Sequence, residues 1–280
     1  MQIAATVEEI RSAVKAWKTE GLSVGFVPTM GYLHEGHQSL MQKAVSENDR
    51  VVVSIFVNPM QFGPSEDLES YPRDLEKDAS LCEASGVDLI FHPEPKEMYH
   101  PDFSSFVDMH GLTESLCGKS RPAHFRGVCT VVTKLFNIVQ PDCAYFGQKD
   151  AQQLAVIQQM VRDLNLDVTV IGCPIIREAD GLAKSSRNSY LSADERKAAL
   201  VLSQALEVAK QLLANGEQNA AKIRNAISET IQAEPLAKVD YVELVDARTL
   251  QQVDSVERPV LVALAVYIGK TRLIDNFITE

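Results

Sequence analysis

Two histidines three residues apart, His34 and His37, close the segment PTMGYLHEGH (28–37), where a strand-like run gives way to a helix-like one. At such a junction backbone N–H groups and two imidazoles can face one anion, which is the geometry of a phosphate site. Imidazole donors suit charge building on a pentacoordinate phosphorus, so their role would be transition-state stabilisation. Taken alone, the pair is better read as surface or capping histidines. A zinc site is a third reading, but H-x-x-H lacks the spacing of H-E-x-x-H metallohydrolases and Gly36 weakens a ligand-bearing helix.

Two more groups carry donors of the same kind. Phe146-Gly147-Gln148-Lys149-Asp150 follows a buried strand and leads into a helix, so Lys149 can reach phosphates and Asp150 can accept from ribose hydroxyls. Asp is also a favoured helix cap, and that is the bland alternative. Lys184-Ser185-Ser186-Arg187, within READGLAKSSRNSYL, offers two cations and two hydroxyls suited to a departing pyrophosphate, and Gly181 gives the loop freedom to move. A solvated basic loop reads the same way.

These groups sit in an acidic chain. Its 280 residues carry 27 Lys and Arg against 38 Asp and Glu, a formal charge of −11. That surface repels nucleic acid and anionic membranes, so an anionic small molecule must be drawn in by local cations. Five widely spaced cysteines without a CxxC pair indicate neither a disulfide framework nor a thiolate zinc site, and a reducing cytoplasm fits them. The opening MQIAATVEEI lacks the basic flank and apolar core of a secretory signal, and no apolar run approaches membrane-spanning length.

The elements that must position these groups alternate along the first part of the chain. A strand over 23–27, a turn over 28–31 and a helix over 36–47 are followed by VVVSIFV (51–57). That run is apolar at nearly every position, as a central parallel strand requires. Further expected elements are a helix within 72–85, a strand at 88–91, a helix near 127–139, a strand near Ala144, a helix over 151–164 and a strand over 167–171. This rhythm predicts an α/β, Rossmann-like doubly wound parallel sheet, with its ligand crevice beyond the carboxyl ends of the strands. Beyond Ile176 two long amphipathic helices, 193–214 and 220–233, precede the strand-like VDYVELVDA and PVLVALAVYIG, the latter introduced by Glu257-Arg258-Pro259. Domains over 1–176 and 177–280 are therefore expected, the second a smaller α+β domain.

Taken together, PTMGYLHEGH, VSIFVNPMQFGPSEDLESYPRD, RPAHFRGV, FGQKDAQQL and READGLAKSSRNSYL resemble the pantothenate synthetase (pantoate–β-alanine ligase) family over nearly the whole chain. HEGH is then the HIGH-type signature shared with class I synthetases and nucleotidylyltransferases, and KSSR the KMSKS counterpart. The resemblance implies that ATP is bound by Met30, Gly31, Tyr32, Leu33, His34, Glu35, Gly36 and His37. Gly147, Gln148, Lys149, Asp150, Ile176, Lys184, Ser185, Ser186 and Arg187 would complete that set. His37 (as proton donor), His34 and Lys149 would be catalytic, Gln61 and Gln153 would bind pantoate, and Gln61 would also border β-alanine. The residues allow this, since paired amides can donate to a carboxylate and a hydroxyl. Asn58, Tyr71, Arg121, His124 and Arg126 fall in family-like segments and read as loop or supporting residues. Two positions depart from the family pattern: Gln148, where Glu is usual, and Lys184, where Met or Leu is usual.

The reaction so implied is attack of pantoate carboxylate on the α-phosphorus of ATP, giving pantoyl-adenylate and pyrophosphate. The amine of β-alanine then attacks the acyl carbon, releasing pantothenate and AMP. Mg2+ is expected on the triphosphate, with no DxD cluster to name a protein ligand, and the resemblance implies a homodimer and a smaller lid domain carrying KSSR. A nucleotidyltransferase with a phosphorylated acceptor and a non-catalytic nucleotide-sensing module are the rival readings. The first would need more cations in the acceptor pocket, and the second would be expected to have lost His, Lys or Ser from the three motifs.

Overall fold

The computed structural model describes residues 1–64, 66–257 and 259–279; Ser65, Arg258 and Glu280 lie outside the description, Arg258 being the middle residue of the Glu257-Arg258-Pro259 run. In chain order the elements are β1 (Gln2–Ala4), α1 (Val7–Thr19), β2 (Val24–Thr29), α2 (Glu35–Glu47), β3 (Arg50–Ile55), α3 (Leu75–Ala84), β4 (Leu89–Phe91), α4 (Pro95–Met98), α5 (Cys117–Ser120) and α6 (His124–Val139). There follow β5 (Cys143–Gly147), α7 (Ala151–Asp163), β6 (Thr169–Cys173), α8 (Ala193–Ala198), α9 (Val201–Ala214), α10 (Ala220–Gln232), β7 (Ala237–Asp246), β8 (Val260–Ile268) and β9 (Thr271–Ile278).

Two compact units share these elements. The first comprises residues 1–113, 121–148 and 153–174, and the second 114–120, 149–152 and 175–280. They are discontinuous along the chain, whereas the sequence suggests one division at 176/177. The short 114–120 and 149–152 segments carry no compositional mark of a boundary.

In the first unit six parallel strands run in the order β1-β4-β3-β2-β5-β6. The Rossmann-like sheet expected from the alternation is present, and its order reverses between β2 and β5. In open sheets of this kind ligands bind beside such a reversal because successive crossovers leave in opposite directions, so the segments following β2 and β5 are the ones to inspect for a site. β2 and β3 are buried because α2 and α3 cover one face with Leu40, Met41, Ala44 and Cys82. On the other, Phe136 of α6 meets Phe26 edge-on at 6.4 Å.

The structure corrects three local expectations. The sheet starts before Ser23: β1 pairs with β4, and α1 follows it, set by a capping box in which Thr6 Oγ accepts from Glu9 N–H and Glu9 Oε2 accepts from Thr6 N–H. Pro28 and Thr29 belong to β2 rather than to a turn, in register with Ser54 and Ile55. The helix expected over 193–214 is two, α8 and α9, interrupted at Ala199–Leu200.

In the second unit β7, β8 and β9 form an antiparallel sheet in that order. β8 is buried along nearly its whole length, and Val260, Val262, Leu264 and Val266 pack with Leu202, Leu206, Ile223 and Ile227 of α9 and α10. At about 25 cal/mol per Å2 of apolar surface buried, such a core supplies the main stabilisation of a domain this size.

Candidate functional site

In the first unit, β2 ends at Thr29, whose hydroxyl donates to Ser54 O at 2.7 Å and accepts from Gly31 N–H at 3.2 Å. The chain then turns through two left-handed residues, Gly31 at φ 87° and Tyr32 at φ 52°. Gly31 is required there, since a Cβ would stand 3.0 Å from Asp78 Oδ2 and from Ile55 Cγ2. Asp78, on α3 and only 1% exposed, holds the turn: Oδ2 accepts from Tyr32 N–H at 2.8 Å and Oδ1 from Leu33 N–H at 2.6 Å. Burial raises its pKa above the ordinary aspartate value, against the pull of these two hydrogen bonds.

His34 is the N-cap of α2 and His37 its third residue, with ring centroids 4.1 Å apart. His34 Nδ1 accepts from Gly36 N–H at 3.1 Å and His37 Nδ1 accepts from His34 N–H at 3.3 Å. A ring nitrogen that accepts carries no proton, so each neutral ring is protonated at Nε2. Both histidines thus take part in capping α2, the plainer of the readings open to the motif.

Gln61 ends a 3-10 turn (Pro59–Gln61) after β3. Asn58, 1% exposed, ties it down: Nδ2 donates to Gln61 Oε1 and to Gly127 O, each at 3.1 Å, and Oδ1 accepts from Tyr99 OH at 2.8 Å. The Gln61 backbone carbonyl accepts from His124 Nδ1 at 3.0 Å and Arg121 Nη2 at 3.3 Å, and Arg121 grips Glu66 through two 2.6 Å bonds. Because a carbonyl can only accept, His124 Nδ1 carries the proton here. Gln61 Nε2 reaches Met30 Sδ at 3.2 Å, joining this amide to the loop after β2. Arg121 and His124 therefore support the Gln61 backbone. Gly147 ends β5 and Gln148 follows it, on the other side of the sheet reversal, and Gln153 is half-buried on the first turn of α7.

The second unit holds Lys149, Asp150, Ile176 and Lys184–Arg187. Asp150 is exposed and Lys149 half-buried. The Lys149 carbonyl accepts from Asn276 Nδ2 at 2.8 Å. Ile176 O accepts from Lys184 N–H at 2.9 Å, closing a short antiparallel turn that also bridges Arg177 and Ala183. Lys184 Nζ meets Glu178 Oε2 at 2.8 Å, so the cation that departs from the family pattern has a carboxylate within its own loop. Ser185 caps the 3-10 turn Ser186–Tyr190 by accepting from Arg187 N–H at 3.3 Å, and Ser186 is buried.

Sequence reasoning read Asn58 as a supporting residue, as found, and missed Asp78 and, on β9, Asp275 and Asn276. A signal existed for the last pair: two adjacent polar residues in a strand whose neighbours are apolar. Among the described residues no group of three or more His, Cys, Asp or Glu forms a metal cage.

A six-stranded parallel sheet whose order reverses beside the histidine-bearing loop places the chain among the doubly wound α/β proteins. A family profile described as pantoate-beta-alanine ligase matches residues 2–278. The chain is 61% identical over 277 residues to a pantothenate synthetase of Clostridium acetobutylicum and 63% over 280 residues to one of Enterococcus faecalis, covering 99% of each relative. Among solved structures it resembles pantothenate synthetase from Thermus thermophilus, with TM-score 0.94, 46% identity and 99% of both chains covered. It also resembles the Francisella tularensis pantoate-beta-alanine ligase complexed with beta-gamma ATP and beta-alanine, with TM-score 0.81, 36% identity, and 99% and 97% covered. The chain belongs to the pantoate–β-alanine ligase family. It is a ligase that joins pantoate to β-alanine.

Proposed function

We propose that the chain makes pantothenate in two chemical steps and that its motifs divide the labour as follows. ATP and pantoate react first: a carboxylate oxygen of pantoate attacks the α-phosphorus in line, the bond to the β-phosphate bridging oxygen breaks, and pyrophosphate leaves. The β-alanine amine then attacks the acyl carbon, the acyl–oxygen bond breaks, and AMP departs with that oxygen. AMP is a good leaving group, so positioning a neutral amine suffices for the second step.

To the nucleotide we assign Met30–His37, Gly147 and Gln148 in the first unit and Lys149, Asp150, Ile176 and Lys184–Arg187 in the second. The observation that carries this reading is the pair of histidines with both Nδ1 atoms engaged by backbone N–H groups, which leaves Nε2–H as each ring's donor. Donors held in place before reaction stabilise developing phosphoryl charge without reorganising. His37 and His34 take that role, Lys149 neutralises charge toward the leaving pyrophosphate, and Ser185, Ser186 and Arg187 add donors. Gln61 and Gln153 donate to pantoate, and Gln61 borders the amine. Mg2+ accompanies the triphosphate.

Five free cysteines suit a reducing cytoplasm, and no helix among the described residues is long and apolar enough to cross a membrane. We place the enzyme there, as a homodimer. The route is tested with pantoate labelled with 18O in its carboxylate: the adenylate pathway delivers one labelled oxygen to AMP. Label appearing in inorganic phosphate, with ADP as co-product, would refute it.

A further inference from the structure

The segments carrying Lys149 and KSSR are far apart in sequence, yet each is hydrogen-bonded to one of two adjacent residues. Asn276 Nδ2 donates to the Lys149 carbonyl at 2.8 Å. Asp275 accepts a fork from Arg177, with Nη1 on Oδ2 at 2.6 Å and Nη2 on Oδ1 at 2.9 Å, while Arg177 Nη1 also donates to Gly181 O at 3.0 Å. Arg177 and Gly181 are the base and tip of the turn that delivers Lys184 and Ser185. Asp275 Oδ1 further accepts from Asn276 N–H at 2.8 Å, so the pair is locked together.

The placement is unusual for a strand. Side chains alternate across a sheet, so of two neighbours one is ordinarily directed outward, yet Asp275 is 2% and Asn276 5% exposed. They pair with Leu264 and Ala263 of the buried β8, which fixes their register. A buried carboxylate is costly unless it is fully bonded, and this one is bonded to a bidentate guanidinium and to a backbone N–H. The 149–152 segment is held at its other end as well, where Gln152 accepts from Cys117 N–H at 2.9 Å and donates to Ser115 O at 2.8 Å.

We propose that Asp275 and Asn276 are positioning residues that hold Lys149 and the Lys184–Arg187 loop as one rigid group for adenylate formation. The inference rests on the assignment of Lys149 and KSSR to the triphosphate. Both loops hang from a two-residue strut on β9, so their donors keep a fixed mutual geometry, and small misplacements of such groups are expensive in rate.

The test is a double-variant cycle read in two half-reactions. Asn276→Asp keeps the shape but replaces the donating amide with a second acceptor facing the Lys149 carbonyl, and Asn276→Ala removes it. Both are expected to slow pantoate-dependent pyrophosphate exchange by about tenfold or more. The rate with preformed pantoyl-adenylate and β-alanine should stay within about twofold, since pyrophosphate is absent from that step. Asp275→Asn, which removes the charge facing Arg177, should act in the same direction. In a Lys149→Ala background, Asn276→Ala should add nothing further. A multiplicative loss there, or equal slowing of both half-reactions, overturns the proposal, because either marks a general structural role. If Lys149→Ala itself leaves exchange unchanged, the underlying assignment fails. If Lys149→Ala is impaired and Asn276→Asp is not, only the strut fails.

Discussion

Asp78 Oδ1 accepts the backbone N–H of Leu33 at 2.6 Å, fixing a buried carboxylate on α3 to the turn that precedes the two histidines. Its second oxygen takes Tyr32 N–H, so the turn keeps its left-handed residues through a side chain 45 or 46 positions away. Asp78→Ala leaves two backbone donors without their acceptor, at a cost of about 1–3 kcal/mol. Adenylate formation is expected to fall by roughly tenfold to a hundredfold, because the histidines shift with the turn. Single-turnover exchange measurements on folded protein check this.

Two carboxylates of the first unit give opposite pH signatures. Asp78 has its pKa raised by burial, so protons bind more tightly in the native than in the unfolded state, and its contribution to stability declines as pH rises through that range. Glu66 is also pushed up by burial, but the Arg121 hydrogen bonds and charge outweigh this and leave it below the usual glutamate value. Its stabilisation is present above the unfolded value of about 4.3 and is lost as pH falls through the native one. Denaturant midpoints against pH should therefore show wild type gaining on Asp78→Asn, and losing its lead over Glu66→Gln, as pH falls below about 5. Parallel trends would contradict both assignments.

Gly127 sets how closely α6 approaches the Pro59–Gln61 turn. A Cβ there would stand 2.7 Å from Gln61 Cα and would also meet the Met60 backbone, and neither can rotate away. Gly127→Ala is expected to destabilise the protein by about 1–3 kcal/mol and to raise KM for pantoate more than KM for ATP. Thermal melting and initial rates measure the two effects.

His37→Ala removes one phosphate donor and the acceptor for His34 N–H. Adenylate formation should drop by about tenfold to a thousandfold with circular dichroism unchanged. An unaltered rate would remove His37 from the chemistry.

The parallel sheet is legible in the sequence because VVVSIFV is apolar at nearly every position, and the histidine loop because its residue types fall between a strand and a helix. β1 is not, because three residues are too few to show a period. The split of α8 from α9 at Ala199–Leu200 is a tertiary effect, since alanine and leucine favour helix continuation. The partners of Asp78, Asn58 and Asn276 are hidden for another reason. Each of these residues bonds backbone groups distant in sequence, and a polar residue on a helix, turn or strand, even beside a second one as at Asp275-Asn276, does not announce its partner. Lys184 reads from sequence as a phosphate contact or a solvent-facing charge, and its meeting with Glu178 depends on the turn closed by Ile176.

On the proposed route the HEGH and KSSR motifs activate pantoate as an adenylate before the amine enters. With purified protein, ATP, Mg2+ and labelled pyrophosphate, label should enter ATP when pantoate is added and β-alanine is withheld, and should not enter when pantoate is omitted. No exchange with pantoate, or exchange that requires β-alanine, would contradict that order of events.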